Sequence, residues 1–208
     1  MKTKLSRKEA ASIIKKGAWT NHPISSMTLG ICSALAISNT IENCIAMSAG
    51  VIFVMLVTAV IISLLRKMIP TRARIITYMV TIASAVIIVN QVLKAYFPAI
   101  SESLGPYVGL IITNCMIMGR AEAFFVQYDT SRSLLDALAN GFAYTYTLVS
   151  IGICREILGF GTILGFHIMP DGWVNWSIMA APAGAFFFLG VFLWITRTLA
   201  HIEPPKKG

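Results

Sequence analysis

Of the 208 residues in this chain, the four cysteines Cys32, Cys44, Cys115 and Cys154 have the most chemistry to offer. None belongs to a CxxC pair or a Cys/His finger, which argues against zinc and thioredoxin-type chemistry. His22, His167 and His201 are isolated from one another in the sequence and form no ligand pair. Two uses remain for the thiols. They could ligate an iron–sulfur cluster, or they could be small apolar packing residues, as buried cysteines often are. A 2Fe–2S cluster takes four cysteine ligands. Two cysteines here would therefore need two more from a second chain, either a copy of this one or a relative.

Which cysteines could cooperate depends on the elements that carry them. Only 12% of the residues are charged and 56% are apolar, whereas a soluble domain carries about 25% charged residues. Charge that sparse cannot clothe a water-facing surface, but it suits a bundle of helices in lipid. The net charge is +8. Its Lys and Arg stand at the ends of apolar runs, with no basic stripe interleaved with aromatics, so the pattern speaks against nucleic-acid binding.

Four charge-free runs, 43–65, 75–93, 137–154 and 172–196, reach or approach the roughly 20 residues a membrane helix needs. Two apolar segments, 24–37 and 106–118, are too short for a straight crossing. Near their middles lie Thr28 and Gly30 in the first, and Thr113 and Asn114 in the second. The expected architecture is an all-α integral membrane protein with six transmembrane helices. With a cytoplasmic N-terminus, fifteen of the 17 Lys and Arg fall on the cytoplasmic side, so both termini are expected there. Trp173, Trp176 and Tyr107 then fall near the outer edge and Trp19 near the inner edge, where aromatic belts sit. The expected organisation is a basic cytoplasmic segment over 1–22, a membrane domain over 23–198 and a cytoplasmic tail over 199–208.

The six spans read short, full, full, twice over. Three spans per half invert the second half relative to the first, giving repeats over about 23–97 and about 104–198. Paired short or broken segments in inverted halves point to a site at the bilayer midplane. Cys32 lies in the first such segment and Cys115 in the fourth, so the pseudo-twofold axis would bring these two thiols together. Cys44 and Cys154 have no matched partners and read as packing residues. Glu42, Lys94, Arg155 and Glu156 stand at span ends, where snorkelling accounts for long charged side chains. Arg120 and Glu122 follow Cys115 closely and could anchor the broken helix. At this level three classes stay open: an electron-transfer subunit, a secondary transporter and a structural membrane subunit with inert thiols. Cysteine at the break, rather than carboxylates or a set of hydroxyls, favours the first.

The segments LGICSALA (29–36) and LIITNCMIMGRAEAF (110–124) closely resemble a family of bacterial membrane subunits. That family comprises the D subunit of the sodium-translocating NADH:quinone reductase and its sister, the E subunit of the Rnf electron-transport complex. The resemblance continues through QVLKAY (91–96), REILG (155–159) and APAGAFF (181–187), and covers nearly the whole chain after about residue 20. Ser33, Ala34 and Lys94-Ala95-Tyr96 look more like the quinone reductase than Rnf. The resemblance implies a multi-pass subunit of the bacterial inner membrane, paired with the paralogous E subunit of the quinone reductase. It implies that Cys32 and Cys115 supply two ligands of a 2Fe–2S cluster shared with that partner. It also implies electron flow from NADH to ubiquinone coupled to sodium export. No dinucleotide fingerprint is present, so neither an NAD site nor a flavin site is expected on this chain. One departure stands out: Asn90 occupies a position where many relatives would carry Asp.

Overall fold

The computed structural model describes residues 29–96, 98–160, 162–163, 166–167 and 182–200. Short helix α1 spans Ile31–Ile37 and is followed by α2, Ile41–Leu65. A 3-10 turn, Thr71–Ala73, leads into α3, Arg74–Tyr96. Helix α4, Pro98–Ile112, stops at Thr113 and Asn114, and the chain resumes as α5, Cys115–Arg120. A π-helical turn, Ala121–Phe125, completes that crossing. Helix α6 is the longest, Thr130–Phe160, and α7 covers Pro182–Ala200. Among the described residues the only strands are the two-residue pair Thr162–Ile163 and Phe166–His167.

Among the described residues, four stretches are long and apolar enough to cross a membrane: Ile41–Leu65, Arg74–Tyr96, Tyr107–Phe125 and Thr130–Gly159. The shorter Ala183–Thr198 is also apolar. The four overlap the second to fifth expected spans, and Ala183–Thr198 overlaps the latter part of the sixth, whose start lies outside the described residues. Helix α1 occupies the C-terminal half of the first. The start of that first segment, Trp19, His22, His201, Trp173, Trp176 and both chain ends lie outside the described residues.

The fourth segment differs from its sequence-based bounds. It does break where Thr113 and Asn114 suggest, but it is not short. It begins at Pro98, ahead of residue 104, and runs on past Met118 to Phe125. The expected segment ends before Arg120 because a charge normally ends a span. Here Arg120 is buried against Asp136 of α6, with Nε donating to Oδ2 at 2.9 Å and Nη2 donating to Oδ1. Each charge compensates the other, so the fourth segment can carry Arg120 through the interior.

Helices α2 and α6 pack antiparallel and form the centre of the molecule. In lipid, apolarity does not distinguish a helix's inner face from its outer one; small residues that allow close approach do. Gly141 and Gly152 lie three turns apart on α6. A Cβ on Gly141 would stand 2.8 Å from Ile52 Cγ1, and one on Gly152 would stand 2.8 Å from Cys44 Sγ. The inner face of α2 carries Ser48, Val51, Met55, Thr58, Ala59 and Ile62, while Ile45, Phe53, Val60 and Leu64 are exposed. Exposed apolar residues on α3 (Ile75, Ile76, Val80, Ile87, Ile88) continue a surface suited to hydrocarbon.

Candidate functional site

The start of α1 meets the break between α4 and α5. Cys32 is the second residue of α1 and Cys115 is the first residue of α5. The two thiols are neighbours, near enough to influence each other electrostatically. The Gly30 N–H donates to Cys115 Sγ at 2.9 Å, tying the start of α1 to that break across 85 residues of sequence. Cys32 is exposed on the described chain and Cys115 is half-buried.

Local sequence explains the start of α1 and the break. Gly30 caps α1 with φ at +82°, a left-handed conformation that glycine adopts without a Cβ penalty. A Cβ there would also press to 3.0 Å against the Tyr144 ring. Asn114 caps α5, its Oδ1 accepting the Met116 N–H at 3.0 Å. Behind the thiols lies a buried polar cluster. The Ser33 hydroxyl donates to the Gly30 carbonyl at 3.1 Å and sits 2.8 Å from the Tyr144 hydroxyl. Asn114 Nδ2 donates to the same Ser33 oxygen at 3.4 Å.

Cys44 and Cys154 are elsewhere. Cys44 is fully buried, packed on Gly152 and donating weakly to the Ile37 carbonyl at 3.8 Å. Cys154 is exposed on α6.

The charged residues near the spans divide. Glu42 and Lys94 are exposed, as snorkelling side chains would be. Arg155 and Glu156 are not: they are 2% and 5% exposed. Interfacial snorkelling is the wrong account of this pair, because each satisfies backbone left open where α1 turns into α2. Arg155 Nη1 donates to Ser38 Oγ and, at 3.5 Å, to the Leu35 carbonyl. Glu156 Oε2 accepts the Ile41 N–H at 2.8 Å. Arg120 and Glu122 do anchor the broken helix. Besides the Arg120–Asp136 pair, Glu122 accepts from the Tyr78 hydroxyl at 2.6 Å and from Arg74 at 3.4 Å.

Sequence reasoning passed over Asp136, Tyr144 and Ser33. The one signal for Asp136 was an acid abutting a charge-free run, sixteen residues from a basic residue that also abuts one.

Two convergent thiols, one accepting a backbone N–H and the other facing outward, fit half of a cluster site. Among the described residues no three His, Cys, Asp or Glu side chains gather as a metal site. Two thiols are half of the four cysteine ligands that a 2Fe–2S cluster takes.

A family model described as "Rnf-Nqr subunit, membrane protein" matches residues 10–193. The chain belongs to this family. It is 42% identical over 206 residues to the D subunit of the Na(+)-translocating NADH-quinone reductase of Pseudoalteromonas atlantica, covering 96% of this chain and 98% of that one. The protein of the same name from Psychromonas ingrahamii is also 42% identical over 206 residues, at 95% and 98% coverage. That from Chlamydia pneumoniae is 40% identical over 212 residues, at 97% and 98% coverage. Family membership accords with a membrane protein that works inside a larger complex.

Proposed function

We propose that this chain is the corresponding membrane subunit of a sodium-translocating NADH:quinone reductase, and that Cys32 and Cys115 hold one half of a 2Fe–2S cluster within the membrane. The observation that carries this reading is the meeting of the start of α1 with the break between α4 and α5, each delivering one thiol, joined by the Gly30 N–H on Cys115. The other two ligands come from a paralogous membrane protein, the E subunit of the same complex. The cluster supplies one-electron acceptance and release. This chain's residues would hold the two thiols, with the buried Ser33, Asn114 and Tyr144 behind them and the exposed Cys32 open to the partner. The chain crosses the bacterial inner membrane six times as two inverted three-helix repeats, with both termini cytoplasmic. With the cluster bound, the site would serve as a one-electron relay between NADH and ubiquinone in a complex that couples electron flow to sodium export.

Iron content and the cluster's paramagnetic signal in the purified complex provide the test. Cys32→Ala and Cys115→Ala should each remove the signal and most quinone reduction, because alanine cannot replace thiolate as a ligand. Electron entry from NADH to an external flavin should persist. Cys44→Ala and Cys154→Ala should keep both iron and turnover. Retention of iron in the Cys32 variant, or identical behaviour of all four, would show that the thiols are packing residues. For topology, a reporter active only in the periplasm should stay silent when fused after Gly208; strong activity there would overturn the six-span orientation.

A further inference from the structure

The Ser33 hydroxyl has one proton to donate and two lone pairs to accept. Its donor goes to the Gly30 carbonyl at 3.1 Å. One lone pair receives Asn114 Nδ2 at 3.4 Å. The contact that remains is Tyr144 Oη at 2.8 Å, so the Tyr144 hydroxyl must be the donor to Ser33. With that assignment the hydroxyl is fully used and its orientation is fixed. Ser33, Asn114 and Tyr144 are all completely buried, so water cannot substitute for a lost partner, and losing one leaves an uncompensated polar atom.

Three separate elements meet at this one oxygen: the start of α1, the break before α5, and the centre of α6. The Gly30 peptide is held from both sides. Its carbonyl is fixed by Ser33, its N–H points at Cys115 Sγ, and its Cα lies against the Tyr144 ring.

We propose that Tyr144 is a positioning residue for the thiol pair: acting through Ser33, it fixes the Gly30 peptide whose N–H donates to Cys115, and so sets both the spacing of Cys32 and Cys115 and the polarity felt at the Cys115 sulfur. This inference rests on the ligand reading of those two cysteines. Hydrogen bonds to ligand sulfurs favour the more negative, reduced state of an iron–sulfur centre and so raise its potential. Loosening the Gly30 N–H should therefore lower the potential without removing the iron.

The experiment uses the full complex carrying Tyr144→Phe or Ser33→Ala. Phenylalanine keeps the ring against Gly30 and deletes only the hydroxyl. Three quantities are read: iron content, the potential of the cluster signal in a redox titration, and a cluster-free measure of thiol spacing. For the last, iron is stripped and the rate at which phenylarsine oxide bridges Cys32 to Cys115 is followed by peptide mass spectrometry, with Cys44 and Cys154 replaced by alanine. The expected result is retained iron, a reduction equilibrium shifted about two- to tenfold against the reduced form, the weight of one hydrogen bond, and slower bridging. Unchanged potential and unchanged bridging in both variants would overturn the positioning role while leaving the ligand reading intact. If instead Cys32→Ala keeps its iron, the ligand reading fails, and the bridging rates alone decide: slower in the variants supports the positioning role, unchanged refutes it. Should Tyr144→Phe not assemble, Ser33→Ala carries the same comparison.

Discussion

Arg155 and Arg66 each stand near the C-terminal end of one central helix and reach back to the link that precedes the other. Arg155, on α6, reaches Leu35 and Ser38 just before α2. Arg66, at the end of α2, reaches the Gln127 carbonyl at 3.5 Å and Asp129 at 2.6 Å just before α6. The plan is the same and the burial is not. Arg155 is 2% exposed, whereas the Arg66 and Asp129 side chains are 29% and 49% exposed. At the Arg155 end the arginine is the brace for the short helix that carries Cys32. At the Arg66 end the short helix that carries Cys115 has anchors of its own, Arg120 on Asp136 and Glu122 on Tyr78. The helix that carries Cys32 is thus held by an arginine reaching in from α6, whereas the segment that carries Cys115 sends its own charged groups out to α6 and α3. A like arrangement of arginine and link does not fix how deeply the stabilising contacts are buried.

The largest effect should come from breaking the buried end. Arg155→Ala leaves the Leu35 carbonyl and Ser38 without their charged donor. A hydrogen bond to a charged group contributes about 1.5–3 kcal/mol, and this arginine is buried. The variant complex should lose thermal stability markedly in detergent, and should lose iron together with it, because α1 is no longer held. Normal stability with normal iron would show that the two ends are equivalent after all.

These differences mark what the sequence could and could not reveal. The spans were legible because apolar runs of membrane length are set by bilayer thickness alone. The start of α1 and the break before α5 were legible too, since Gly30 and Asn114 weaken a helix wherever they stand. Arg155, Glu156 and Arg120 were harder, because a scan along the chain weighs each charge by itself. Glu156 finds Ile41 across 115 residues, and Arg120 finds Asp136 across sixteen. No local pattern encodes such a meeting. Tyr144 was invisible for a related reason: its hydroxyl matters only once the start of α1 and that break have converged on Ser33.

A middle-sized effect sharpens the contrast at the buried end. Helices α2 and α6 touch there through Gly152 and Cys44, and a Cβ at 152 would meet the sulfur at 2.8 Å. Gly152→Ala should destabilise the complex by about 1–3 kcal/mol, the usual cost of overpacking. Adding Cys44→Ala removes the offending atom and should restore most of the loss. Thermal unfolding of the single and double variants measures this directly. No recovery in the double variant would mean that the close approach depends on backbone rather than on that sulfur.

The smallest effect is expected at the exposed end. Arg66→Ala removes an ion pair that water already screens, and such pairs contribute about 0.2–1 kcal/mol. Ser63 stays beside the same link, its hydroxyl donating to the Tyr128 carbonyl at 3.1 Å and accepting from Thr130 at 3.2 Å. The link therefore keeps neutral ties that do not depend on the arginine. The variant should retain iron and turnover, with a shift in thermal stability well below that of Arg155→Ala. What shift there is should shrink as salt rises, since exposed pairs weaken when the Debye length falls. A large, salt-independent loss would mean that this end is shielded in the assembled complex, where a partner protein covers Arg66 and Asp129. The buried and exposed ends would then be a property of the isolated chain rather than of the working assembly.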